Sequence, residues 1–297
     1  MQVVEKFLPL SEKRGTYVRI CNPSGKNTPL ILCHGGPGST HNYLELLDPL
    51  AEMGDRPLVY FDQFGCGLSS TPADPNAYNP DFWVQELDDL RSYLDLRNCF
   101  LLGHSWGGML VQLYLQAKGQ EGIKGIILSS TLCSSKQWSE QTHILCKQLS
   151  PEDQKTIEEG ERAGNYDSPA FQRASQHYLK LTVSDIDYDR TDLPECIRRK
   201  KKTGDLCYRR CWGPSEFTPL GLLKDYDTRD FLPQVHCPAL VLYGGKDESN
   251  KPQNETIFRL LGGDKIIHCF PESRHMTYFE ARKDYLALVN GFLKTHD

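Results

Sequence analysis

Residues 99–118 read CFLLGHSWGGMLVQLYLQAK. The apolar run Phe100–Leu102 passes into a helix-patterned run, Trp106–Lys118, through a turn made of Gly103, His104 and Ser105, with Gly107 and Gly108 beyond it. A short unbroken apolar run that turns directly into a helix has the pattern of a strand buried on both faces of a parallel sheet. Glycines two places before and after Ser105 let strand and helix approach closely, and the tightness of the turn strains the serine backbone. The turn sets the hydroxyl at the C-terminal edge of the sheet, beside a helix N-terminus that favours developing negative charge. Ser105 is therefore the expected nucleophile.

The same rhythm extends outward. Strand-like runs are expected at Tyr17–Cys21, Leu30–Cys33, Leu58–Phe61 and Ile123–Leu128, with helix-like segments at His41–Met53 and Pro80–Leu96. Phe82, Val84, Leu87, Leu90, Leu94 and Leu96 recur mostly at three- and four-residue intervals, as a helix lying on the sheet requires. From Ser134 to about Asp230 the chain turns polar and helix-prone, with breaks near Ser150–Pro151 and Gly164–Pro169. Strand and helix alternation returns with a strand at Pro238–Gly244, a helix at Glu255–Leu261, a strand at Lys265–Phe270 and a last helix near Tyr278–Lys294. The expected architecture is α/β: a mostly parallel central sheet flanked by helices. Its core comprises residues 1–133 and 231–297, interrupted by a helical cap at 134–230.

Composition narrows the function classes. The 297 residues are 39% hydrophobic and 25% charged, an ordinary profile for a folded chain long enough to bury a large core. A formal charge of -5 argues against a nucleic-acid surface. No stretch has the apolar length of a membrane span, and the opening MQVVEKFLPLSEKRG lacks a signal-peptide core, so a cytoplasmic protein is expected. The 11 cysteines are scattered and odd in number, which fits buried thiols better than a disulfide framework. Cys207 and Cys211 have helical spacing but no further ligands nearby to complete a zinc site. The basic run Arg198–Lys202 reads as the solvated end of a helix in the insertion rather than a nuclear localisation signal.

A serine hydroxyl needs a base, and the base needs an orienting acid. At a turn of this kind they follow in the order Ser, Asp or Glu, His. His275 follows the strand KIIHCF and precedes the last helix, which makes it the expected base. His268 lies within that strand, and His34 and His104 sit inside other motifs. Asp247 follows the strand ALVLYGG, with Glu248 beside it, and spacing alone does not separate the two as orienting acid. For the oxyanion, the N–H of Trp106 follows the nucleophile, and Gly36 in His34-Gly35-Gly36-Pro37-Gly38 supplies a second donor after the strand ending at Cys33.

The motifs together carry a family resemblance. HGGPG at 34–38, DQFGCGLS at 62–69, GHSWGG at 103–108, GPSEF at 213–217 and YGGKDE at 243–248 resemble the proline iminopeptidases, also called prolyl aminopeptidases, of the α/β-hydrolase superfamily. The likeness spans most of the chain, cap included. It implies Asp247 as the third triad member and leaves Glu248, with Glu216 of the cap, to hold the free α-amino group of a substrate. It implies a metal- and cofactor-independent serine exopeptidase that releases an N-terminal residue, proline preferred, from short peptides or amino-acid amides. No nucleic-acid or membrane partner is expected. Where many relatives carry a small residue before the histidine, this chain has Arg274. The cap is also rich in cysteine and basic residues, which leaves room for other small or hydrophobic first residues. The rival readings are an amidase or small-ester hydrolase on the same scaffold and a non-catalytic receptor. An epoxide hydrolase or dehalogenase is disfavoured, since those place Asp where this chain has Ser105.

Overall fold

The computed structural model describes residues 1–11, 14–72, 74–199 and 204–297. Strands β1 (Val3–Ser11), β2 (Arg14–Cys21) and β3 (Leu30–Cys33) open the chain. Helix α1 (Pro49–Met53), β4 (Leu58–Phe61), α2 (Pro80–Tyr93), β5 (Cys99–His104), α3 (Trp106–Lys118) and β6 (Ile123–Ser129) then alternate. Five helices follow: α4 (Ser135–Cys146), α5 (Pro151–Ala163), α6 (Pro169–Thr182), α7 (Glu195–Arg198) and α8 (Asp205–Cys211). The sheet resumes with β7 (Ala239–Gly244), α9 (Lys251–Leu260) and β8 (Lys265–Phe270), and α10 (Thr277–Glu280) and α11 (Arg282–Thr295) end the chain.

The eight strands are ordered β1-β2-β4-β3-β5-β6-β7-β8. β2 pairs antiparallel with both β1 and β4, and every other pairing is parallel. The central strands β3, β4, β5 and β7 are buried along their whole length. Successive residues enter opposite cores: Ile31, Val59, Leu101 and Val241 pack with α2 and α3 on one face, and Leu32, Tyr60, Leu102 and Leu242 pack with α1 and α11 on the other. This two-sided burial is why these strands read as continuous apolar runs rather than alternating ones. The register Cys33 with Gly103 and His104 with Ser129 aligns the C-terminal ends of β3, β5 and β6 on one edge, where the motif loops emerge.

The segment between β6 and β7 carries α4–α8 and, among the described residues, no strand of the sheet. An antiparallel bridge between Ser134 and Asp227 joins the two ends of this insertion. Its breaks follow the local chemistry. The Ser150 hydroxyl accepts from the Asp153 N–H (3.1 Å) and Ser168 from the Phe171 N–H (3.2 Å), each cap followed by a proline at the helix start. Gly164, left-handed at φ 65°, ends α5. Ile157, Phe171, Ala174, Tyr178 and Phe217 form a separate small core inside the insertion.

Several elements differ from expectation. β1 is an edge strand in which Leu8 is buried while Val3, Glu5 and Phe7 are exposed, so it is held by backbone pairing to β2 and leaves no apolar run to read. The expected helix His41–Met53 is a 3-10 segment, His41–Leu47, then α1, because Pro49 has no N–H to continue the ladder. The last helix is broken at Ala281 into α10 and α11. Of the basic run, Arg199 bridges Glu45 (2.8 Å) and Glu195 (2.8 Å), while Lys200–Lys202 lie outside the described residues. The 11 cysteines are free thiols, all buried except the half-buried Cys269. No described helix is long and apolar enough to cross a membrane.

Phe171 stands edge-on to both Tyr166 and Phe217 and is 1% exposed. Phe171→Ala should destabilise the insertion by about 3–5 kcal/mol, read by chemical denaturation. A loss under about 1 kcal/mol would show that this small core is not cooperative.

Candidate active site

Ser105 has φ 56° and ψ -124°, a strained conformation for a side chain-bearing residue. Its N–H donates to the Ser129 carbonyl (2.9 Å), and its own carbonyl accepts from the Thr131 hydroxyl (2.7 Å) and the Gly108 N–H (2.9 Å). A methyl group at Gly103 would collide with the Gly107 carbonyl, and one at Gly107 with the carbonyl of Cys33 in β3. Strand, turn and helix are thus pressed together with room for glycine alone, and the serine absorbs the resulting bend.

The 28-residue gap between Asp247 and His275 closes at the edge of β7 and β8. His275 Nδ1 lies 2.7 Å from Asp247 Oδ1. A carboxylate only accepts, so Nδ1 carries the proton and Nε2 is left as the basic nitrogen. The Ser249 N–H also donates to Asp247 Oδ1 (2.8 Å), and the Gly244 N–H to Oδ2 (3.4 Å). Glu248 Oε1 is 4.0 Å from His275 Nδ1, so Asp247, and not its neighbour, makes the hydrogen bond. The His275 backbone is fixed as well, its N–H donating to the Thr182 carbonyl at the end of α6 (3.1 Å).

The loop at 34–38 wraps over this edge. Gly36 has φ 117°, open to glycine only, and lines the same cavity as Ser105. The Gly35 N–H is committed to the Tyr43 hydroxyl (2.6 Å), which leaves Gly36 as the expected donor. Gln63 pins the loop to α3: its amide nitrogen donates to the His34 carbonyl (2.9 Å) and its oxygen accepts from the Trp106 indole (2.7 Å). Asp62 accepts from both the N–H (2.8 Å) and Nδ1 (2.7 Å) of His41 and from the Leu68 N–H (2.8 Å), tying the 62–69 loop to the same corner. Burial disfavours the charged imidazole, but the hydrogen bonds and charges of Asp62 and Glu45 outweigh it and raise the His41 pKa to about 9.

A cavity of about 290 Å³ opens above Ser105 and is lined also by His275, Glu216 and Glu248. Glu216 comes from the insertion and Glu248 from the loop after β7, so two carboxylates separated in sequence face one space. Burial pushes the Glu216 carboxyl up, against the opposing hydrogen bond from Tyr208 (2.5 Å) and the charge of His275. Burial, then the charges of Glu216 and Asp247, push Glu248 well above the ordinary carboxylate range. Glu248 Oε2 and the Tyr178 hydroxyl are buried without hydrogen-bond partners. A cation placed between the two carboxylates would offset their burial and mutual repulsion.

Residues 28–282 match the α/β hydrolase fold family. The chain is 41% identical over 299 residues to a proline iminopeptidase of Lactobacillus delbrueckii subsp. lactis, covering 100% of both chains. It belongs to the proline iminopeptidase family. A second relative of that name, from Lactiplantibacillus plantarum, is 40% identical over 95% of this chain and 98% of its own. The crystal structure of proline iminopeptidase from Mycobacterium smegmatis superposes with a TM-score of 0.87 at 28% identity, covering 99% of this chain and 98% of that one.

The proline iminopeptidase motifs explain which residues meet at the site, but several contributors carry no mark in the sequence. Tyr208 and Tyr178 reach the glutamates only because α8 and α6 fold over the sheet. His104, set aside within GHSWGG, has a definite part: the Gly35 N–H donates to Tyr43 Oη, Tyr43 donates to His104 Nδ1 (3.0 Å), and His104 Nε2–H donates to the His275 carbonyl (3.2 Å). The His104 and His275 rings lie 4.8 Å apart.

His104→Leu should lower kcat by about 10–100-fold with little change in KM, because it frees the backbone that carries His275. His104→Gln, which keeps one donor and one acceptor, should recover most of the rate. Equal losses in the two variants, at matched melting temperatures, would remove His104 from this role.

Proposed function

We propose that the protein is a serine exopeptidase that releases the N-terminal residue, proline preferred, from short peptides through Ser105, His275 and Asp247 and an acyl-enzyme. The observation that carries this reading is the pair Glu216 and Glu248. Two carboxylates with raised pKa values, Glu248 buried with an unpartnered oxygen and Glu216 half-buried, share a cavity with the strained serine. Nothing in serine chemistry needs them, whereas a substrate ammonium does, and they would repel a free carboxylate placed there.

Ammonium binding between the glutamates sets the first carbonyl over Ser105. The hydroxyl attacks as His275 Nε2 takes its proton, and Asp247 stabilises the imidazolium. The N–H groups of Gly36 and Trp106 receive the oxyanion, each worth roughly 3 kcal/mol in the transition state. His275 then protonates the departing amine, and water, activated by the same imidazole, releases the amino acid. Substrates are short because the helical insertion, acting as a cap, covers the site. The 11 free thiols suit a reducing compartment, in keeping with action in the cytoplasm.

Chromogenic amides of free proline, alanine and phenylalanine, their N-acetyl forms and an aryl ester test the reading directly. Free amines should be cleaved and acetylated ones not; equal rates would exclude an amine anchor. Glu216→Gln should raise KM for the proline amide by about 10–100-fold while the aryl ester changes little. Acidity should act in the same sense. Both carboxyls have raised pKa values, so as pH falls they take up protons earlier than an exposed glutamate does. The ratio of kcat/KM for the free amine to that for the ester should therefore decline above the ordinary glutamate range, and a ratio flat down to about pH 4.5 would contradict the assignment.

A further inference from the structure

Two cavities meet at Ser105. The smaller, about 80 Å³, is walled by Trp106, Met109, Leu132, Trp138 and Trp212. The larger, about 290 Å³, runs beneath Leu179, Val183, Tyr188 and Ile197. Gly36, Ser105, Tyr208, Glu216 and Glu248 line both, but His275 lines only the larger.

That asymmetry assigns the two spaces. His275 must hand its proton to the nitrogen that leaves, so the residue attached to that nitrogen lies on the His275 side. The acyl residue, its ammonium at the glutamates, has the other space for its side chain. We infer that the larger cavity is a binding subsite for the second residue of the substrate, selective for a large apolar side chain; this rests on the exopeptidase reading above. A cavity of about 150 Å³ accepts a benzene ring. The 80 Å³ space is too small for one but suits the three ring carbons of proline, whereas the 290 Å³ space admits leucine or phenylalanine.

The insertion supplies part of the wall of the larger space, Leu179 in α6, Val183 at its end, Tyr188 in the following connection and Ile197 in α7, alongside Tyr43, Met276 and Tyr278 of the core. Choice of the second residue is therefore shared between the insertion and the core, while the first residue is judged against Trp106 and Met109 of α3.

The test measures kcat/KM on prolyl-glycine, prolyl-leucine and prolyl-phenylalanine amides, on phenylalanyl-leucine amide and on N-acetyl-prolyl-leucine amide. The leucine and phenylalanine forms should exceed the glycine form by about 10–100-fold, and phenylalanine in first position should be poor. Val183→Asp should invert the preference, favouring prolyl-lysine amide over prolyl-leucine amide. Leu179→Ala, the milder change, should shrink the leucine-to-glycine ratio several-fold in a protein that remains folded at the assay temperature. Equal rates for glycine and leucine, or a ratio untouched by both variants, overturn the subsite. Cleavage of the N-acetyl form at the rate of the free form instead overturns the amine anchor, and the leucine-to-glycine ratio still reports on the subsite.

Discussion

The closeness of β3, β5 and the start of α3 governs the site. Cβ atoms at Gly103 and Gly107 would meet backbone carbonyls, so the chain turns in the minimum space and the bend falls on Ser105 at φ 56°. Such a conformation costs about 1–3 kcal/mol and persists because the surrounding sheet over-determines it. Here the determinants are specific: the Ser105 N–H is held by β6 and its carbonyl by Thr131 just past β6. The same closeness brings the 34–38 loop, which leaves β3, within reach of the hydroxyl, and Gln63 bonds that loop to Trp106.

A second constraint is electrostatic and opposes stability. Glu216 and Glu248 are driven toward their neutral forms by burial, and Glu248 further by the charges of Glu216 and Asp247. A fold selected for stability alone would place apolar side chains there. Carboxyls with raised pKa values weaken the folded state above the ordinary carboxylate range, and in the proposed role a bound ammonium would offset that loss. Site and fold thus pull in different directions, which is what the proposed amine anchor requires.

The insertion links the two. Its α6 supplies Tyr178 near the glutamates and the Thr182 carbonyl that holds the His275 N–H, so one helix touches both the base and the proposed amine site. Tyr208 in α8 donates to Glu216, and Arg199 after α7 bonds Glu45 in the core. These contacts join elements more than fifty residues apart in several cases, and none follows a helical or strand period.

By itself the sequence determined what local chemistry encodes: the buried strands as continuous apolar runs, the glycines flanking Ser105, the breaks at Ser150–Pro151 and Gly164–Pro169, and the motif loops at strand ends. Those signals follow from burial and backbone geometry over a few residues. The edge strand β1 leaves no such signal because it buries little, and Pro49 splits the expected helix because it has no N–H for the ladder. Only the tertiary structure decided that Asp247 rather than Glu248 bonds His275, that Tyr43 and His104 join the oxyanion loop to the base loop, and that Glu216 meets Glu248. Each of these depends on distances across the sheet edge and under the insertion, and distances between remote segments are set by packing, which no local pattern records.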